Sequence, residues 1–178
     1  MAPDYVRVYN KARPDGRVFT IEWSAAEHMA IFRDLILNFS EKQLAEEAIP
    51  ITHEQVSDDT LAKMLEWAVE HKDVPKPSDD EPHIRDSGMI TPTDWENKYF
   101  DDISEQILFE LLLLTDYLEV KRLYELACRI VGAMTRGKTA KEIREIFNIE
   151  NDFGPEESEM IRKETEFAYE RDAEENAS

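Results

Sequence analysis

The chain has 178 residues, enough for one domain with a real core, or a domain plus an appendage. Its formal net charge of −19 excludes nucleic acid and anionic membrane as main targets, because phosphate neutralisation needs clustered Lys and Arg. The single cysteine, Cys128, excludes an internal disulfide framework and fits a reducing compartment. The first residues carry no apolar signal region, and the longest apolar run, Leu111 to Leu114, is far too short for a membrane span. Cytoplasm and nucleus are the expected locations.

Taken in chain order, the first half reads as mixed structure. Tyr5, Val6, Val8 and Tyr9 predict a strand, and Val18, Phe19, Ile21 and Trp23 a second. Pro14, Asp15 and Gly16 supply turn chemistry between them. Ser24 with Glu27 reads as a capping box opening a helix that buries Ala25, Met29, Phe32, Ile36 and Phe39, with Leu35 beside them. Ile49, Pro50 and Ile51 predict a brief edge strand, since proline cannot donate to a ladder. Asp58 or Asp59 is expected to cap a helix with Leu61, Met64, Leu65 and Ala68 on one face.

An acidic, proline-rich linker is expected over about 73–90, where periodicity disappears. The second half reads as helical. Thr91, Pro92, Thr93 and Asp94 form a helix start with proline in the first turn, and Trp95 and Tyr99 share a face. Ser104 opens a helix carrying Ile107, Leu108, Leu111 and Leu112, which Thr115 and Asp116 are expected to break. Val120 resumes a helix that ends at Gly137, and Thr139 with Glu142 is another capping box. Pro155 opens a last acidic helix with Met160, Ile161, Glu164, Phe167 and Ala168 on one side.

Catalytic and metal chemistry is missing from the pattern. His28, His53, His71 and His83 form no zinc-binding spacing, and His53 reads as a solvated turn residue. Cys128 fits a helix face as a small apolar residue. With 40 acidic residues, carboxylate pairs such as Asp101 and Asp102 are inevitable and read as solvated charge. No enzyme, cofactor or metal is therefore expected.

The apolar content of residues 109–153 exceeds what one small core needs, which points to a face kept for a partner. The strings LFELLLLTDYLEVKRL and GKTAKEIREIFNIENDF in this region resemble the Skp adaptor family. The resemblance covers most of the chain: weak over 1–45, moderate around Ile49, Lys63, Trp67 and His71, and strong from Phe109 onward. It implies an α+β fold, a BTB/POZ-like core with a small three-stranded sheet and surrounding helices, followed by C-terminal helices that bind F-box proteins. The expected division is 1–136 for the core and 137–178 for the extension.

The family's activity implies a non-catalytic adaptor that links F-box substrate receptors to cullin in an SCF-type ubiquitin ligase. No RING or HECT centre is present, so ubiquitin chemistry would belong to partners. The family's cullin-facing Asn-Tyr-Leu, described as a loop and helix start, corresponds to Asp116, Tyr117 and Leu118. Asp116 departs from it, since an ionised Asp only accepts hydrogen bonds. The F-box-facing set implied is Leu123, Leu126, Ala127, Ile130, Val131, Met134, Ile143, Phe147, Ile149, Phe153, Ile161 and Phe167. Phe167 stands where the family has Trp, Gly154 where it has Thr, and Pro155 matches a position modified in some protist members. Two alternatives stay open: partnership with F-box proteins outside a cullin ligase, and a self-assembling scaffold. A homodimer of the free chain through its apolar face is expected under the adaptor reading too.

Overall fold

The computed structural model describes residues 3–13, 16–38, 43, 47–75, 90–154, 157 and 159–163. Pro14, Asp15, Phe39, the linker residues 76–89, Pro155, Glu164, Phe167 and Ala168 lie outside that set. The chain divides into two compact units, Met1–Ala133 and Met134–Ser178. No helix among the described residues is long and apolar enough to cross a membrane.

The first unit is built on a three-stranded sheet of order β2-β1-β3. Strand β1 (Tyr5–Asn10) runs antiparallel to β2 (Phe19–Glu22) and parallel to β3 (Ala48–Ile51). Val6, Val8 and Asn10 point inward while Tyr5 and Arg7 face solvent, the period-two alternation of a half-buried strand. Pro50 sits on the edge strand, as its missing donor requires. Gly16 lies where an added Cβ would meet the Asn10 carbonyl at 2.9 Å, so the turn admits no side chain there. This is the α+β class expected from the sequence.

The predicted helix from Ser24 is in fact two. Helix α1 (Trp23–Ala26) stops, and α2 (Ala30–Asn38) restarts after a tightened turn in which His28 and Met29 bond three residues back. Glu22, not Ser24, is the N-cap, and Ser24 Oγ donates to the Glu22 carboxylate at 3.5 Å instead of capping. The break turns His28 inward, where its Nε2 donates to the His71 carbonyl at 2.6 Å. A long-range bond thus prevails over local helical spacing.

Helix α3 (Asp58–Glu70) is capped by Ser57 rather than Asp58 or Asp59. The Ser57 hydroxyl accepts from the Thr60 amide at 3.2 Å. Asp58 and Asp59 occupy the first turn, where their charge suits the helix dipole, and both engage Arg17. Helix α4 (Asp94–Asp101) begins with a complete capping box between Thr93 and Glu96, which leaves Pro92 before the cap and outside the first turn.

Helix α5 (Glu105–Tyr117) is capped by Ser104 and runs straight through Thr115 and Asp116, which were expected to end it. Thr115 is tolerated because its hydroxyl donates back to the Leu111 carbonyl at 2.7 Å. The true break is Glu119, at φ 55. Helix α6 (Lys121–Thr135) follows, and Gly137 ends it at φ 71, the left-handed conformation that glycine adopts without strain.

The core of this unit gathers Val6 and Val8 from the sheet, Met29 and Phe32 from the α1–α2 region, Leu61, Met64 and Trp67 from α3, and Leu111 and Leu114 from α5. Burying each such side chain contributes about 1.5–3 kcal/mol. In the second unit, helix α7 (Ala140–Ile146) opens with the predicted capping box between Thr139 and Glu142, and residues 157 and 159–163 are helical.

Candidate protein-interaction surfaces

Asp116 and Tyr117 lie at the C-terminal end of α5, not at a helix start. The left-handed Glu119 lets the chain reverse within two residues, with the Val120 amide bonded to the Thr115 carbonyl at 2.9 Å. That geometry sorts neighbouring side chains. Leu118 is 1% exposed and belongs to the core, whereas Tyr117 is 40% and Leu113, one turn earlier, 43% exposed. Leu118, expected among the cullin-facing residues, packs into the core of the chain.

Tyr117 is braced from below. The His53 ring meets it edge-on, with centroids 5.7 Å apart at 77°. His53 is thus half-buried against an aromatic and not a solvated turn residue. Its loop is held by Asn10, whose side chain donates to the His53 carbonyl at 3.0 Å and the Val56 carbonyl at 2.9 Å and accepts from the Ala12 amide at 3.0 Å. On α6 beyond the turn, Tyr124 is also exposed. Its phenol is raised above the ordinary value, first by a hydrogen bond with Cys128 and in smaller part by the Asp116 charge. Asp116, Tyr117 and Leu113 thus present an acidic and apolar outer corner of the first unit.

Along α6 the inward face is Leu123, Leu126 and Ala127, all buried. These were expected to touch an F-box protein; the structure places them inside, because they follow Val120 at helical spacing into the interior. Further along the helix, Ile130 and Val131 emerge half-exposed.

The second unit has a different character: no residue of α7 is buried. Ile143 and Phe147 are half-buried, while Ile149 and Phe153 are 54% and 43% exposed, and Ile161 is exposed. Met134 is half-buried at the end of α6. Asn148 at φ 50 turns the chain after α7, and the Ile149 amide bonds back to the Arg144 carbonyl at 2.8 Å. The Thr139 amide and hydroxyl hold the Glu142 carboxyl below its ordinary value, fixing the start of the helix. A short helix normally draws its stability from a buried apolar face, so one with none is suited to a partner that covers it.

A buried polar network, not anticipated from the sequence, holds the helices of the first unit in register. Glu96 is fully buried, yet its carboxylate accepts from Arg122 Nε at 2.8 Å and Nη2 at 2.7 Å, and from the Thr93 amide at 2.8 Å. His71 Nε2 lies 3.2 Å from the same carboxylate, while its Nδ1 donates to the Trp67 carbonyl at 2.8 Å. Burial alone would push the Glu96 carboxyl up; the Arg122 and Thr93 bonds and the neighbouring positive charge outweigh it and hold it low. The Thr-x-x-Glu spacing of Thr93 and Glu96 is a signal that could have found the capping half of this network; nothing local signals Arg122.

Among the described residues, no group of three or more His, Cys, Asp or Glu could hold a metal ion. Apolar side chains displayed on braced helices define a protein-binding module.

A profile described as Skp1 family, dimerisation domain, matches residues 121–168. The chain is 35% identical over 153 residues to the E3 ubiquitin ligase complex SCF subunit sconC of Talaromyces marneffei, covering 85% of this chain and 91% of that protein. It is 35% identical over 158 residues to Suppressor of kinetochore protein 1 of Schizosaccharomyces pombe, with 88% and 94% covered. It is 35% identical over 159 residues to SKP1-like protein 11 of Arabidopsis thaliana, with 88% and 93% covered. The chain belongs to the Skp1 family.

Proposed function

We propose that this chain is a non-catalytic adaptor of an SCF-type ubiquitin ligase, acting in cytoplasm and nucleus. The observation that carries the reading is likeness, over nearly the whole chain, to proteins named as SCF subunits. The mechanism is positioning: two proteins are held in fixed geometry so that ubiquitin transfer, performed by other subunits, reaches its substrate.

Cullin is the proposed partner of the α5 corner, with Tyr117 as the aromatic anchor and Leu113 beside it. Asp116 supplies only an acceptor there, so a cullin surface that donates suits it best. F-box proteins are the proposed partners of Ile130 and Val131 in the first unit and of Met134, Ile143, Phe147, Ile149, Phe153 and Ile161 in the second. Leu118, Leu123, Leu126 and Ala127 support these surfaces from the interior. The functional boundary is proposed near residue 136, and Phe167 stays a proposed F-box contact beyond the described residues.

Affinity capture with the intact chain and with one truncated after Lys138 tests this. Truncation is expected to abolish F-box capture and to leave cullin capture intact. Loss of neither, or of cullin alone, would overturn the assignment. A second reading, favoured by the dimerisation designation of the matched profile, is self-association through the same apolar residues when no F-box protein is present.

A further inference from the structure

Strand β2 is an edge of the sheet, paired with β1 alone. The Trp23 amide bonds to the Asp4 carbonyl at 2.9 Å, which fixes the alternation of the ladder. Counting from it, Ile21 and Phe19 exchange bonds with Val6 and Val8, while Thr20, opposite Arg7, turns its N–H and C=O away from β1. Among the described residues no hydrogen bond reaches those two groups. The opposite edge is blunted by Pro50 on β3; β2, Phe-Thr-Ile-Glu, has neither proline nor lysine.

Beside this open edge lies a groove of about 380 Å³ between β2 and α3. Phe19, Ile21, Leu65, Val69 and Trp95 make its apolar lining. Its only charged lining residues are Glu66 and Glu70, both acidic. Lys63 pairs with Glu66 at 2.9 Å, but Glu70 has no ion pair among the described residues. None of these residues belongs to the surfaces assigned above to cullin or F-box proteins.

We infer that the β2 edge and this groove form a further docking site, for an extended segment of a partner protein in which every second residue is apolar and a lysine or arginine ends that row. The segment continues the sheet by bonding to Thr20. Every second side chain enters the groove against Leu65, Val69 and Trp95, and the lysine or arginine that ends this same row meets Glu70 at the rim. Charge selects the partner: an acidic strand would face two carboxylates on a chain of net charge −19.

The test uses the 178-residue chain, labelled with nitrogen-15 and titrated with a short peptide in which valines alternate with threonines and a lysine ends the valine row, and with its counterpart carrying glutamate in place of that lysine. The lysine peptide is expected to give saturable shifts at the amides of Thr20, Ile21 and Glu22 and at the Trp95 indole; the glutamate peptide is expected to give none. Thr20→Pro removes the outward N–H without touching the bonds to β1 and should weaken binding at least about tenfold. Glu70→Lys, an exposed change that leaves the core intact, should weaken it by a similar factor and carries the test if Thr20→Pro does not fold. The inference is overturned by shifts absent from β2 at millimolar peptide, by equal binding of the glutamate peptide, or by full affinity in folded variants.

Discussion

Arg122 and Glu96 form a two-pronged ion pair, at 2.8 and 2.7 Å, that joins α6 to α4 with the carboxylate fully buried. Arg122 also reaches the Thr91 carbonyl, and Arg129 donates to the Ile90 carbonyl at 2.5 Å, so α6 grips the chain just before α4 as well. Removing the guanidinium would strand a buried charge. Arg122→Ala is expected to cost about 3–5 kcal/mol in urea unfolding, more than a typical surface change. A loss within about 0.5 kcal/mol would show that the pair does not hold the helices.

Glu110 should contribute to the acid limb of stability. Burial opposes its charge, but the Ser57 and Thr60 hydroxyls, the Ser57 amide and Gln106 outweigh it and hold the carboxyl at about 2, against an ordinary value of 4.5. A depressed carboxyl stabilises the fold fully above its unfolded value and loses that contribution as pH falls through the folded one. The Glu110 contribution should therefore fade between pH 4.5 and about 2. Glu110→Gln should cost about 1–2 kcal/mol at neutral pH and flatten this part of the profile. Parallel pH profiles for variant and wild type would remove Glu110 from the account.

Tyr117 and Leu118 are neighbours with opposite exposure, and substitution should separate their roles. Tyr117→Ala is expected to weaken cullin binding by about 1–3 kcal/mol while moving the unfolding midpoint little. Leu118→Ala is expected to cost about 2–5 kcal/mol of stability, because it opens a cavity in the core. Calorimetry of binding and unfolding on both variants checks this; a reversed pattern would mean the corner is turned the other way.

The second unit should be adhesive when unpartnered. Sedimentation at rising concentration is expected to show a weak dimer that an F-box peptide dissolves. Phe153→Ala should reduce both self-association and F-box affinity, the latter by about 1–3 kcal/mol. Monomeric behaviour to high concentration would count against an open apolar face.

Local chemistry was legible in the sequence where neighbours decide it. The box of Thr139 and Glu142 and the stop at Gly137 rest on contacts within a few residues, and the edge position of Pro50 follows from its own missing donor. Long-range partners were not legible. His28 leaves the first helix for a carbonyl 43 positions away, and the buried Glu96 takes its main partner from Arg122, 26 positions on. Ser57 outcompetes Asp58 as a cap with help from Glu110, 53 positions along the chain. The same limit applies to the surfaces. The resemblance implied Leu123, Leu126 and Ile130 as one F-box-facing set, but where along α6 the apolar side chains leave the interior depends on what packs beside them. Tyr117 was marked by resemblance, whereas its support by His53 and Asn10 required the fold.

The central claim is that one chain carries two separable docking surfaces. Its most direct test is size-exclusion chromatography of the purified chain mixed with an F-box fragment and an N-terminal cullin fragment, repeated with Tyr117→Ala and Phe153→Ala. The wild type should elute as a ternary complex, with Tyr117→Ala losing only cullin and Phe153→Ala losing only the F-box fragment. A folded variant that loses both partners together, or a wild type that never holds both at once, would contradict it.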